Sequence, residues 1–170
     1  MNHLEIIHMY LYKYKPGTIA LTGSNAYRFI TKEPFSGDLD FVVLCEDMLK
    51  DVNTNNGINK IEKHNGINKI IKTHSYIQDE IKIDISTCDG KDFTEDYKSR
   101  SCETCFIIRK GSDLIPLFYT KKQIIPDNAN PEIFIMNMIK FKGSDKTMKF
   151  WHKKLSNGYC WGKLFKPIHC

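Results

Sequence analysis

Three aspartates stand within or directly beside short apolar segments, where a buried strand ordinarily carries no charge. Asp38 and Asp40 surround the start of Leu39-Asp-Phe-Val-Val-Leu44, and Asp84 interrupts the alternating segment Ile81-Lys-Ile-Asp-Ile-Ser86. Both segments have the composition of β-strands. Aspartate is disfavoured at such positions, and neither segment offers a local capping role for it. The pattern therefore indicates a sheet whose carboxylates serve a chemical purpose.

The strand period predicts where these carboxylates point. Successive side chains of a strand face opposite ways, so Asp38 and Asp40 are expected to project together while Leu39 and Phe41 enter the core. In the second strand the isoleucines form the core face and Asp84 lies on the other one. If the two strands are neighbours, Asp84 faces the Asp38 and Asp40 pair.

Three converging carboxylates repel one another unless a cation neutralises them. Their hard oxygen atoms suit Mg²⁺ or Mn²⁺ better than zinc. Two such ions about 4 Å apart can hold both the attacking and the leaving oxygen of an in-line phosphoryl transfer. We therefore expect Asp38, Asp40 and Asp84 to be the ligands of two Mg²⁺ or Mn²⁺ ions and to act in catalysis.

A glycine and a serine follow the first predicted strand, residues 18–22, and precede a helix predicted over residues 25–33. Gly23 lets the backbone approach a phosphate closely, and the Ser24 hydroxyl with the helix N-terminus can hold a triphosphate. Arg28, one helical turn further, is a candidate phosphate ligand, with an ordinary surface arginine as the alternative. The sequence thus predicts a nucleotide-binding element beside the carboxylates.

The remaining pattern predicts an α/β (α+β) fold, with a small mixed, largely antiparallel sheet flanked by helices and a helical C-terminal segment. We expect a catalytic domain over residues 1–126 and a basic helical segment over 127–170. The other expected elements are a helix over 3–15, an interrupted helix over 46–73 that contains a nine-residue duplication, a loop over 89–103, strands over 106–109 and 114–119, a linker between Pro126 and Pro131, and two helices split at Gly143-Ser144 with Ser144 as a cap.

Positive charge is concentrated at the C-terminal end. Residues 1–120 contain 15 basic and 17 acidic side chains, whereas residues 121–170 contain 10 lysines and 3 acids. Clustered lysines can follow a phosphate backbone without reading its sequence, and a solvated helix face is the alternative. The partners expected from this distribution are an NTP and the 3′ end of a single-stranded nucleic acid.

Other features limit the location and the metal chemistry. No apolar run approaches the length of a membrane span and no secretory signal is visible, so we expect a cytoplasmic protein without a membrane partner. Cys102 and Cys105 have zinc-knuckle spacing, but no second pair stands at ligand spacing. A structural zinc site is therefore not the main expectation.

Gly23-Ser24, then Asp38-x-Asp40 before an apolar strand, then Asp84 in an alternating strand together resemble the DNA polymerase beta-like nucleotidyltransferase superfamily. The likeness covers about residues 18 to 90 by motif. It implies that the three aspartates hold the metal ions, that Asp84 also activates the 3′-OH of a primer, and that Gly23-Ser24 binds the NTP.

Two branches of the superfamily are similar to different parts of the chain. The span from Gly23 to Asp38 and the segment Pro131–Lys140 resemble the catalytic subunit of poxvirus-type poly(A) polymerases. That likeness implies polyadenylation of RNA rather than DNA, a role for Lys140 on the nucleotide phosphates, a partner subunit, and a viral setting that includes the virion. The alternative is a compact viral family X DNA polymerase, which Ser36–Asp40 and Phe141–Ser144 resemble and which suits the length better.

Two further functions stay open at this point. One is a non-catalytic nucleic-acid-binding module, which would bind oligonucleotides without turnover. The other is a superfamily member that modifies a small molecule or a protein, which would not need the basic C-terminal end.

Overall fold

The computed structural model describes residues 1–51, 60–100, 105–118, 122–125 and 130–162. Within them the chain forms five α-helices, nine β-strands and one 3₁₀ helix, Glu46–Asp51. The helices are α1 His3–Lys13, α2 Gly23–Thr31, α3 Phe93–Ser99, α4 Pro131–Lys142 and α5 Ser144–Ser156. The strands are β1 Ile19–Thr22, β2 Leu39–Val43, β3 Lys60–Asn65, β4 Ile70–Gln78, β5 Ile81–Thr87, β6 Phe106–Lys110, β7 Asp113–Phe118, β8 Gln123–Ile125 and β9 Cys160–Gly162.

Seven of the strands form one sheet in the order β3-β4-β5-β2-β1-β6-β7. Five of its six neighbour pairs are antiparallel, and β2 and β5 run parallel in the centre. The expected fold class, a largely antiparallel mixed sheet flanked by helices, is confirmed. The two aspartate-bearing strands are neighbours, so the sheet brings together carboxylates that are more than forty residues apart in sequence.

One face of the sheet is apolar and packs against α1. This helix begins with a capping box, since the Asn2 side chain accepts from the Glu5 amide at 2.9 Å and the Glu5 carboxylate accepts from the Asn2 amide at 3.1 Å. Its spacing then directs one stripe inward. The main core contains, among others, Ile6, Ile7, Tyr10 and Leu11 of α1 and Leu39, Phe41, Val43, Ile83 and Ile85 of the two central strands.

The opposite face of the sheet is partly covered. Near β6 it packs against α3 through Ala20, Val42, Phe93 and Phe106. Towards β5 and β4 the same face carries polar side chains, which are described below. One face therefore packs on the main core from β4 to β6, while the other is divided between a small core and a polar area.

The C-terminal segment has its own core. β8 and β9 pair in parallel as a separate two-stranded sheet. The buried residues of this second core are Ile124, Ile125, Phe134, Met138, Trp151 and Tyr159. Strand β8, which precedes residue 126, thus packs with the helices that follow it. In the described part of the chain no helix is long and apolar enough to cross a membrane.

The helix expected over residues 46–73 is wrong. A 3₁₀ helix is followed, after residues 52–59, by the antiparallel hairpin of β3 and β4. The turn is held from a distance, because the Asp89 carboxylate accepts from the amides of Ile67, Asn68 and Lys69 at 2.9–3.2 Å. The second copy of the duplication contains this turn, and residues 56–59 of the first copy lie outside the described residues.

Three smaller expectations also differ from the structure. The loop expected over 89–103 contains α3, because the Asp92 side chain caps the Glu95 amide at 3.0 Å. Ser144 is the first residue of α5 and not its cap, since Gly143 precedes the helix and no side chain caps it. Strands β8 and β9 were not expected. The linker between Pro126 and Pro131 lies largely outside the described residues.

Candidate active site

A row of polar side chains crosses four strands on the partly covered face of the sheet. Thr22 of β1 is the register partner of Asp40 of β2, Asp40 pairs with Asp84 of β5, and Asp84 pairs with Ser75 of β4. Register partners in adjacent strands project to the same face. The expectation that Asp84 faces Asp40 is therefore confirmed by the strand register.

Asp40 is the most perturbed carboxyl group of this row. Its pKa is raised from 3.8 to about 6, first by burial and then by the charges of Asp84 and Asp38, while Arg100 and Lys82 act in the opposite direction. A carboxylate held in this way is deprotonated at neutral pH at a cost in free energy. A cation placed beside it would remove that cost.

Both oxygen atoms of Asp84 have neighbours. The Ser75 hydroxyl donates a hydrogen bond to Asp84 Oδ1. Lys82 Nζ lies 3.8 Å from Asp84 Oδ2, and its side chain is 52% exposed. An exposed lysine at this distance is a weak partner that a stronger cation can displace. Asp84 is thus oriented by Ser75 while one of its oxygens stays available.

Asp38 lies immediately before β2 and is exposed. The loop before it is anchored by Asn25, which is 1% exposed. The Asn25 amide group donates to the carbonyl oxygens of Asp38 at 2.7 Å and Ser36 at 3.1 Å, and its Oδ1 accepts from the Ser36 amide at 3.1 Å. A buried side chain of α2 therefore fixes the position from which Asp38 projects.

Gly23 joins the carboxylates to α2. Its φ of +72° is a conformation that favours glycine, and a Cβ at this position would lie 2.8 Å from Asp40 Oδ2. Thr22, the residue before α2, makes no side-chain cap, and its hydroxyl donates to the Asp40 carbonyl at 3.3 Å. The first residue of the helix is therefore in close contact with the Asp40 carboxylate, and only glycine fits there.

Arg28 holds α2 to the loop before β2. Its Nη1 donates to the Ser36 carbonyl at 3.0 Å, to Asn25 Oδ1 at 3.1 Å and, more weakly, to Ser24 Oγ at 3.4 Å. These contacts give Arg28 a structural part beside the role in nucleotide binding that the sequence predicts. Ser24 and Arg28 both line a cavity of about 330 Å³.

This cavity, between α2 and α5, is basic. Its other lining residues include Lys122, Lys153 and Lys154, against one acid, Glu33. Lys122 Nζ lies 4.0 Å from the Glu33 carboxylate, at the limit of an ion pair, and about 5.5 Å from the rings of two tyrosines. The positive charge around Ser24 therefore exceeds what the one carboxylate can neutralise.

Lys140 lies elsewhere. It lines a cavity of about 870 Å³ between α4 and the β3–β4 hairpin, together with Lys63, Asn137 and Lys146. The structure thus brings Gly23, Ser24 and Arg28 together on α2 and places Lys140 in a separate cavity.

The donor set fits Mg²⁺ or Mn²⁺ in part. In the described ranges no group of three or more His, Cys, Asp or Glu side chains is arranged to hold a metal ion. Asp40 and Asp84, however, are paired carboxylates whose repulsion raises a pKa. Mg²⁺ is commonly bound by one or two carboxylates, with water and substrate phosphates completing its shell. This pair, with Asp38 at the strand entrance, meets that requirement.

The cysteine pair singled out by spacing is only half described, since Cys102 lies outside the described residues. Cys105 is fully buried, its thiol donates to the Ala26 carbonyl at 3.7 Å, and burial raises its pKa to about 12. A thiol in this environment stays protonated, whereas a zinc ligand is a thiolate.

Three residues of the site were not predicted: Ser75, Asn25 and Arg100. Lys82 lies in the predicted strand β5, whose alternation already places it on the Asp84 face, and Ser75 follows from the strand period once β4 is recognised as a strand. Arg100 bonds to the buried carboxylate of Asp96 and lies over the Phe106 ring at 5.0 Å. No local pattern marks it, because its neighbours come from three different elements.

Comparison with known proteins gives no relative, since no protein-family model matches the chain and no curated protein matches it significantly.

Proposed function

We propose that the protein is a metal-dependent nucleotidyltransferase that adds nucleoside monophosphates from an NTP to a nucleic-acid 3′-OH, in the manner of poly(A) polymerases. The observation that carries this proposal is the Asp40 and Asp84 pair, directly across two parallel strands, with the Asp40 carboxylate against Gly23 at the start of α2. Two neighbouring carboxylates that only support the fold destabilise it by their repulsion. Two carboxylates that bind a cation are stabilised by it, so their proximity serves a function.

Each substrate group has candidate ligands in this arrangement. Asp38, Asp40 and Asp84 would hold one or two Mg²⁺ ions, which supply charge neutralisation at the reacting phosphate. Ser24, with the lysines of the adjacent basic cavity, would bind the triphosphate. The Asp40 carboxylate touches the residue before Ser24, so the triphosphate would lie beside the carboxylates.

The reaction is a balanced displacement. The 3′-oxygen of the strand attacks the α-phosphorus and forms a phosphodiester bond, and the bond from that phosphorus to the bridging oxygen breaks. Pyrophosphate leaves with the electron pair of the broken bond. Asp84, held by Ser75, is the candidate base that accepts the proton of the 3′-OH.

The test is an extension assay with purified protein, Mg²⁺, each labelled NTP or dNTP in turn, and a 5′-labelled single-stranded oligonucleotide. We expect extension by the wild-type protein and a loss of at least 100-fold in the Asp38→Ala, Asp40→Ala double variant. The matched control is Asp47→Ala with Asp113→Ala, two exposed aspartates of other elements. Extension that persists in the first double variant would overturn the proposal.

The same assay separates the alternatives. Template-independent extension of RNA by ATP supports a poly(A) polymerase-like enzyme, with the cytoplasm or a viral particle as its compartment. Extension of DNA by dNTPs that requires a template supports a small family X-type polymerase. A non-catalytic binding module predicts oligonucleotide binding with no product under any of these conditions.

A further inference from the structure

A groove runs between the β3–β4 hairpin and α4. It consists of two cavities of about 320 and 870 Å³ that share His64, Gly66, Ile67 and Asn137 as lining residues. The smaller, inner cavity reaches Gly23, whose position is in contact with the Asp40 carboxylate. The larger, outer cavity includes Lys146 of α5 in its lining. The groove therefore extends from exposed lysines to Gly23, the residue beside the Asp40 carboxylate.

The outer cavity is positively charged. Lys63, Lys140 and Lys146 line it and are exposed, and the one acid among its described lining residues is Glu62. The Glu62 carboxylate is already engaged, since Lys60 Nζ lies 2.5 Å from it. Among the described residues no carboxylate forms an ion pair with the three lining lysines. Three ammonium groups from three separate elements, β3, α4 and α5, thus line one space with no matching negative charge among the described residues.

The inner cavity has a different character. Ile67, Ile71, Phe134 and Met138 give it an apolar wall. Its polar lining includes Ser86, Asn137, Lys142 and two engaged carboxylates, Asp89, which holds the hairpin turn, and Asp96, which pairs with Arg100. Ser86 lies two residues after Asp84 on the same strand, hence on the same face of the sheet. An apolar wall with a few polar groups suits a planar base, and the volume corresponds to one small ligand.

The groove combines lysines in its outer cavity with an apolar wall in its inner cavity. Proteins use this combination to bind single-stranded nucleic acids. Phosphates lie along the positive groove and bases stack or pack against apolar side chains. A free nucleotide would not need the outer cavity. An acidic peptide would be repelled by the nearby carboxylates and would not need an apolar wall beside them.

We propose that the groove between the β3–β4 hairpin and α4 binds the 3′-terminal segment of a single-stranded nucleic acid. Lys63, Lys140 and Lys146 contact its phosphates, and its last base lies in the inner cavity. The polarity of the strand rests on the proposed function, because the 3′-OH must reach Asp84. Binding in the groove does not depend on turnover.

The experiment measures binding by fluorescence anisotropy with a 5′-labelled 15-nucleotide oligo(rA), in EDTA so that no reaction occurs. The test variant is Lys63→Glu with Lys140→Glu. Its matched control is Lys15→Glu with Lys110→Glu, which makes the same change in net charge. Lys110 ends β6 beside the opposite edge of the sheet, and Lys15 is close to it because Arg109 bonds to the Tyr14 carbonyl.

We expect the affinity of the test variant to fall at least tenfold and that of the control less than threefold. Loss of two phosphate contacts should also reduce the slope of log affinity against log salt by about 1.4. Equal effects in both variants, or no effect in the first, would overturn the proposal. Circular dichroism and thermal melting show whether both variants are folded.

Additional arms identify the strand and locate its end. Oligo(dA) of the same length distinguishes DNA from RNA, and a duplex form is expected to bind more weakly to the wild-type protein. An oligonucleotide with a 3′-terminal 4-thiouridine should cross-link to the inner cavity, within residues 64–71 or 134–138. Cross-links confined to residues 150–159 would contradict the proposal, because they would place the strand in the α2–α5 cavity.

These measurements distinguish failure of the groove from failure of the activity. If wild-type protein binds the strand and cross-links as expected but never extends it, the groove stands and the nucleotidyltransferase proposal fails. If wild-type protein extends primers and the test variant does so with an unchanged KM for the primer, the activity stands and the groove fails.

Discussion

The two faces of the central strands β2 and β5 are made from alternate residues of the same two segments, yet they have opposite effects on the stability of the protein. On one face Leu39, Phe41, Ile83 and Ile85 are at most 1% exposed and pack against α1. On the other face Asp40 stands beside Asp84, and its pKa is raised to about 6. The apolar face stabilises the sheet, and the carboxylate face lowers its stability. A site that destabilises the protein can persist because the same strands also supply the core.

The largest effect is expected from Phe41→Ala on the apolar face. Phe41 is 1% exposed and its ring centroid lies 5.0 Å from that of Tyr10. Removing this ring should lower the free energy of unfolding by about 3–5 kcal/mol, because apolar contacts are lost and a cavity remains. Urea denaturation followed by circular dichroism measures the change. Phe41→Leu is the control and should lower the free energy of unfolding by less than half as much.

The neighbouring substitution Asp40→Asn should act in the opposite direction. Burial and the Asp84 charge hold the folded pKa of Asp40 near 6, above its ordinary value of 3.8. The stability that protonated Asp40 contributes is therefore fully present below pH 3.8 and is lost as the pH rises through 6. We expect Asn to raise the free energy of unfolding at pH 7.5 by roughly 1–3 kcal/mol.

Three controls accompany the Asp40→Asn measurement. The variant should lose the part of the pH dependence that lies between pH 4 and 6. Asp113→Asn, at an exposed position, should change little. Mg²⁺ should stabilise the wild-type protein more than Asp40→Asn. A neutral-pH loss of stability in Asp40→Asn comparable to that of Phe41→Ala would contradict the contrast between the faces.

The contrast between the faces is the part of the fold that the sequence predicts best. Alternation in residues 81–86 predicts β5, and an aspartate within it predicts that one face is polar. These signals are local and their period is two. The pairing of Asp40 with Asp84 follows as soon as the two strands are taken as neighbours, which a core made of both segments favours.

What the sequence does not predict depends on distant contacts. Residues 60–73 are rich in lysine and isoleucine and belong to the helix expected over 46–73, yet with residues 74–78 they form a hairpin whose turn is held by Asp89. The Asn65-Gly66 pair was the available turn signal. Ser75 and the groove beside α4 were missed with it, because both exist only when these residues are strands.

Arg28 illustrates the same limit at a single residue. Spacing from Ser24 makes it a candidate phosphate ligand, with an ordinary surface arginine as the alternative. Its Nη1 also donates to the Ser36 carbonyl and to Asn25 Oδ1, and the contact with Ser36 exists only because the loop before β2 lies beside α2. Spacing along a helix gives a direction, but the partner found in that direction comes from elsewhere in the chain.

The smallest effect is expected from His74, the polar exception near the apolar face. His74 is the register partner of Ile85 and is 6% exposed, and among the described residues neither ring nitrogen has a hydrogen-bond partner. Burial lowers its pKa, the charge of Lys72 lowers it further, and Glu46 acts in the opposite direction. The folded protein therefore holds this ring neutral.

The sign of the His74 effect is opposite to that of Asp40. A lowered folded pKa gives stability that is present above the unfolded value of 6.5 and is lost as the pH falls below it. His74→Leu should remove this pH-dependent loss of stability. It should also raise the free energy of unfolding at neutral pH by roughly 1 kcal/mol, because an apolar side chain replaces unsatisfied ring nitrogens. Urea denaturation of wild type, His74→Leu and the exposed control His152→Leu at pH 5.5 and 7.5 measures both effects. The free energy of unfolding of the wild-type protein should be lower at pH 5.5 than at pH 7.5. If His74→Leu shows the same difference, protonation of the His74 ring is not coupled to folding. The apolar face would then not oppose a buried charge in the way that the contrast between the two faces predicts.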